Sequence, residues 1–235
     1  MYKSFSLAIT LFLSVLLVSC GSTALLPTPK PTPTPKPIPA LFSLDDFEVL
    51  GSPEAINCSS FGTESTVESL GFCIYYRKSE VTLFQALLED ASYGLQIAYV
   101  FPPDFGGWGS IRRETGTLTD LSAYSGIRLR LRVDEPADSI LLRVTIADVA
   151  SAADVGVKGR DELWWCENTD VLNSSVGEWQ TVTCPFDKFV LANVGRGNNR
   201  RLDLASIVAY EISVVSEKDT GSKGTVVIDS LVAYK

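Results

Sequence analysis

The 235-residue chain contains no histidine, so its chemistry must come from 28 carboxylates, 20 lysines and arginines, four tryptophans and five cysteines. The missing imidazole removes the commonest general base, the usual partner of a nucleophilic Ser or Cys, and the usual zinc ligands. Two carboxylates flanking a bond would suffice for glycoside hydrolysis, but the sequence marks no such pair, which leaves a carboxylate-dependent glycosidase or lyase the least favoured reading. What its side chains can do is recognise. Arg128, Arg130 and Arg132 alternate with Ile127, Leu129, Leu131 and Val133, which sets the guanidinium groups on one face of a strand. They either meet a ligand there or form cross-strand ion pairs, with Asp148 or Glu211 as partners. Trp108, after Phe105-Gly106-Gly107 in a predicted loop, and Trp165, pointing opposite to Trp164, are the indoles free to stack on the CH face of a sugar ring.

Acids at both ends of the folded part suggest a cation. In Asp45-Asp46-Phe47-Glu48 the alternation of a strand puts Asp46 and Glu48 on one side and Phe47 in the core. Asp229, between Ile228 and Leu231 in the last predicted strand, is costly to bury uncompensated. Asp46, Glu48 and Asp229 are therefore the expected ligands of a structural calcium ion, which takes six to eight oxygens. The alternative is a solvated strand start and a satisfied turn acid.

The cysteines and the N-terminus speak to compartment. Lys3 precedes an apolar run over residues 5–18, too short to span a bilayer comfortably and typical of a signal peptide. It ends in Leu17-Val18-Ser19-Cys20, which resembles the lipobox of bacterial lipoproteins and implies lipid on Cys20 after removal of residues 1–19. Residues 27–39 read PTPKPTPTPKPIP, a stiff polyproline spacer, so residues 20–40 form a lipidated linker and residues 41–235 the folded domain. The expected location is extracytoplasmic, with the chain held to a membrane through lipid. Cys58, Cys73, Cys166 and Cys184 then remain for two disulfides in an oxidising compartment. Of the three possible pairings, Cys58 with Cys73 and Cys166 with Cys184 each bracket a short excursion, the second joining neighbouring strands. A net charge of −8, more acidic still once Lys3, Lys30 and Lys36 are set aside, argues against a nucleic-acid partner.

These side chains must be positioned by strands. Apolar runs over 74–77, 95–101, 140–148, 163–166, 181–185, 207–215 and 226–234 are separated by turn signals such as Pro102-Pro103-Asp104 and Asp134-Glu135-Pro136. Without a long helical pattern they predict an all-β antiparallel sandwich. Residues 81–88 fit a strand or a helical turn equally.

Several segments then fall in the order of one family: Asp45-Asp46-Phe47-Glu48, Gly107-Trp108-Gly109, Asp120-Leu121-Ser122, Gly126-Ile127-Arg128, Glu162 with Trp164, Trp179, Pro185-Phe186, Leu202-Asp203-Leu204 and Val227-Ile228-Asp229-Ser230-Leu231. Over about residues 42–234 the chain resembles the family-11 carbohydrate-binding modules and the related complex I intermediate-associated proteins, jelly rolls of the galactose-binding-like class. The resemblance implies a non-catalytic glycan-binding domain, with a structural or protein-interaction role as the alternative. It implies core positions for Trp164 and Trp179, and calcium near the terminal segments. It also implies a binding face on the sheet carrying Arg128 and Arg130, with Arg112 where the modules carry a stacking Tyr and Glu211 at a polar contact. Asp161 stands beside the Glu-x-Trp segment and Arg196 in the basic loop. Arg in place of Tyr points away from a plain β-glucan and toward an acidic or differently shaped glycan.

Overall fold

The computed structural model describes residues 39–48, 65–103, 107–135, 140–157, 159–168, 172, 176–193, 199–216 and 220–235. The described strands are β1 (Leu41–Asp45), β2 (Ser65–Ser69), β3 (Phe72–Arg77), β4 (Glu80–Leu87), β5 (Tyr93–Pro103), β6 (Gly107–Thr119) and β7 (Gly126–Glu135), followed by β8 (Ile140–Val149), β9 (Asp161–Asn168), β10 (Trp179–Pro185), β11 (Val190–Asn193), β12 (Ile207–Ser216) and β13 (Thr220–Tyr234). Two short 3-10 turns, Ala152–Asp154 and Phe186–Lys188, lie among the described residues. Residues 80–87 form a strand, which resolves the ambiguous apolar run.

The strands make two antiparallel sheets. The smaller runs β10-β7-β13-β5-β4, and β1 also pairs with the C-terminal end of β13. The larger runs β11-β9-β8-β12-β6-β3-β2. Alternation builds the core: Leu129, Leu131 and Val133 of β7 face Ile111 of β6, Val144 and Ile146 of β8 and Ile212 of β12 in one buried cluster. The result is a jelly-roll β-sandwich.

The glycines of Gly107-Trp108-Gly109 show how sequence shapes the site. A Cβ at Gly107 would meet the Arg77 and Lys78 carbonyl oxygens at 2.8 Å, and one at Gly109 would run into Val81 of β4. Only glycine lets the start of β6 approach so closely, and Trp108 between them turns to the other face.

The Cys166–Cys184 disulfide forms, with Cα atoms 5.9 Å apart. It joins β9 of the larger sheet to β10 of the smaller, so it staples the sheets together instead of linking neighbouring strands of one sheet. Cys73 is disulfide-bonded as well; its expected partner Cys58, like Cys20 and Arg196, lies outside the described residues.

Candidate functional site

The side of the larger sheet turned away from the core carries two cross-strand rows. Register aligns Cys73, Arg112, Glu211, Thr145, Trp165 and Val190 in one. The next aligns Tyr75, Ser110, Ser213, Arg143 and Glu167. Trp108 stands one step further along, opposite Arg77 and Val215. It is the second residue of β6 and not part of a loop.

Arg112 sits at the centre of this face at only 3% exposure. Its Nε, Nη2 and Nη1 donate to Glu114 Oε1 at 2.7 Å, Asp161 Oδ2 at 2.9 Å and Glu211 Oε1 at 3.0 Å. Ser110 donates to the other Glu211 oxygen at 3.3 Å and accepts from Ser213 at 2.9 Å. Burial disfavours the charge on Arg112, but the attraction of Glu211, Glu114 and Asp161 outweighs it and raises its pKa. Burial likewise pushes the Glu211 carboxyl up, while Arg112 holds it down. The Tyr75 hydroxyl, close to this cluster, is raised chiefly by burial. Arg112, Asp161 and Glu211 thus come together as expected, but as a closed cage in which one guanidinium bonds three carboxylates. Its part is to fix the sheet face.

The open chemistry lies beside the cage. The Arg143 guanidinium lies over the Trp165 ring, 3.7 Å from its centroid, and donates through Nε to Glu167 Oε1 at 2.9 Å. Trp165 and Glu167 also border a hollow of about 380 Å³ with Thr183, Pro185, Lys188 and Val190. An aromatic ring, a carboxylate and an ammonium therefore line one open place, and a guanidinium is stacked on that ring. Sequence reasoning found Trp165 but missed Arg143, Glu167 and Lys188. The alternation of β8 and β9 contains the signal, since Arg143 and Glu167 are polar residues directly opposite each other.

Arg128 and Arg130 do not join this face. Their strand β7 belongs to the smaller sheet, so they project from the opposite side of the sandwich. Arg130 pairs with Asp229 and lies over Trp179 at 4.4 Å, Arg132 is bound to Asp134 and contacts the same ring at 5.2 Å, and Arg128 lies over Tyr234 at 4.8 Å. The expected shared surface for Arg112, Arg128, Arg130, Asp161 and Glu211 is therefore split between two faces, because β6 and β7, although consecutive, enter different sheets. Trp179 is also not a core residue: it caps the arginine row. Trp164 is in the core, its Nε1 donating to Asp148 Oδ1 at 3.2 Å.

The acids expected to hold calcium are parted as well. β1 ends at Asp45, and Phe47 has φ 57°, so Asp46 and Glu48 lie in a bend and not along a strand. Asp46 Oδ1 accepts the Glu48 amide at 3.2 Å, Glu48 accepts the Tyr93 amide at 3.2 Å, and Asp229 is engaged by Arg130. In this arrangement the three do not fit a shared cation, and among the described residues no group of three Asp, Glu, Cys or His side chains does.

Comparison with known proteins fits this architecture. Residues 68–224 match the family described as complex I intermediate-associated protein 30. No curated protein matches the chain significantly. A family 11 carbohydrate-binding module from Clostridium thermocellum, solved in complex with a β-1,3-1,4-mixed-linked tetrasaccharide, superposes with a TM-score of 0.55 at 20% identity, covering 83% of this chain and 95% of that one. The family 11 module of the Clostridium thermocellum cellulosomal cellulase Lic26A-Cel5E gives 0.54 at 19% identity, covering 83% and 94%. With its domain matched over residues 68–224 and a jelly roll of the family 11 kind, the chain belongs to the complex I intermediate-associated protein 30 family.

Proposed function

We propose that this protein is a non-catalytic glycan-binding lipoprotein, held outside the cytoplasm by lipid on Cys20 and presenting residues 41–235 beyond the proline-rich linker. The observation that carries the binding reading is the open hollow lined by Trp165, Glu167 and Lys188, with Arg143 stacked on the Trp165 ring. An indole face takes the apolar side of a sugar ring, and charged groups beside it bond hydroxyls or an acidic substituent. Glycan binding by the family 11 module with its tetrasaccharide supports the same reading through the shared fold. Arg143 and Lys188 beside the aromatic favour an acidic or substituted glycan over a plain β-glucan. A glycan array probed with the purified chain tests this: binding to acidic or substituted glycans is expected, and an empty array overturns it.

A role as a protein-interaction domain is the second reading, favoured by the family's description as a complex I intermediate-associated protein. Stoichiometric co-purification of one protein partner, together with an empty array, would select it. The anchor is tested separately: Cys20→Ala is expected to abolish palmitate labelling, and labelling that persists would refute the lipid assignment.

A further inference from the structure

A second hollow, of about 660 Å³, opens between the two sheets, where β1 of one faces β6 and β12 of the other. Arg112 and Arg113 are adjacent on β6 and point to opposite sides, so this cleft lies across the strand from the Arg112 cage. Its floor is a polar cluster. The Asp45 carboxylate is 9% exposed and accepts Arg113 Nη1 at 2.6 Å, the Phe47 amide at 2.9 Å and the Tyr210 hydroxyl. Arg113 is braced on the other side by the Phe72 ring, 5.3 Å from its centroid. The pair cancels its own charge, leaving a polar floor without net charge.

The rim is apolar on one side. Phe42 is 37% exposed, and its ring is tilted against Tyr124 at 6.0 Å, so an aromatic surface faces the opening in a set orientation. Volume, apolar rim and a few convergent polar groups are the features of a small-molecule site. The matching ligand is rich in hydroxyls, apolar on one ring face and uncharged, since Asp46 and Glu114 at the mouth oppose anions. At about 660 Å³ the hollow has room for a monosaccharide unit.

We infer that this cleft is a second carbohydrate site, which takes an uncharged sugar residue of a glycan; the inference rests on the proposed glycan-binding function. It gives the domain two sites, the hollow beside Trp165 and the cleft between the sheets.

The test uses the full chain, saturation-transfer NMR with the methyl β-glycosides of glucose, galactose and xylose, and retention on the polysaccharide that the array selects. At least one methyl glycoside is expected to bind. Phe42→Ala should weaken that binding about tenfold, or about 1.4 kcal/mol, while Phe42→Tyr and Trp165→Ala retain it and Phe42→Ala leaves polysaccharide retention intact. Unchanged melting of Phe42→Ala would show that the loss is local. Polysaccharide retention with no methyl glycoside binding overturns the cleft and spares the function. So does monosaccharide binding that is lost in Trp165→Ala and unaffected in Phe42→Ala. Absence of both polymer and monosaccharide binding refutes the function and, with it, this inference.

Discussion

Replacing Arg112 by Met keeps most of the side-chain volume and removes the charge that three carboxylates share. Asp161 and Glu211 have side chains only 10% and 12% exposed, so neither can recover its lost partner from water. Glu114, at 39%, can, and adds little. Removing one partner of a buried ion pair costs about 3–5 kcal/mol. For a domain of this size, at about 2–4 °C per kcal/mol, the melting temperature should fall by about 6–20 °C. The deficit should also depend on pH. Burial already raises the Glu211 carboxyl and Arg112 holds it down, so without Arg112 that group rises further and binds a proton more readily. Acidification therefore restores part of the stability, and Arg112→Met with Glu211→Gln should recover part of it at neutral pH. Thermal melting of the two variants from neutral to mildly acidic pH reads all three effects. A loss below about 1 kcal/mol, the scale of an exposed pair, with no recovery in acid, would refute the cage.

A second pH effect comes from Asp148, raised from 3.8 to about 6, chiefly by burial, with Glu162 adding to the rise and the Asp203 amide and Trp164 opposing it. Because the folded value is above the unfolded one, the stabilisation is full below pH 3.8 and is lost as pH rises through about 6. Melting temperatures should therefore be higher near pH 5 than at pH 7.5, a difference that Asp148→Asn shrinks; an equal slope in both proteins would count against it. Among the described residues Tyr99 has a buried hydroxyl without a hydrogen-bond partner. Tyr99→Phe should thus be neutral or stabilise by about 1 kcal/mol, and a clear loss on thermal melting would show that the hydroxyl has a partner. Since Asp46, Glu48 and Asp229 are engaged separately, a chelator should leave the melting temperature unchanged. A fall that calcium reverses would show that these acids regroup around a cation.

The strict alternation of β7 made its two faces legible, and the apolar runs of β5, β8, β12 and β13 gave the sandwich. Alternation reports which face of a strand a residue occupies, and says nothing of which sheet the strand joins. That is why Arg128 and Arg130 were grouped with Arg112 although β6 and β7 part company. The same limit hid the reach of Cys166–Cys184, which spans the sheets. The alternation expected for Asp46 and Glu48 gives way to a local detail: Phe47 adopts a positive φ, usually left to glycine, so the two acids lie in a bend. Arg143 went unnoticed because its meaning arises only from Trp165 and Glu167 across the ladder, a register that one strand's sequence does not specify.

The most direct test of glycan recognition through the outer face is affinity electrophoresis of the wild type and Trp165→Ala in gels containing the glycan that the array selects. Retardation of the wild type is expected, with a weakening of about tenfold or more in Trp165→Ala at unchanged melting, and recovery of the glycan uncleaved. Equal retardation of the two proteins, or cleavage of the glycan, would contradict it.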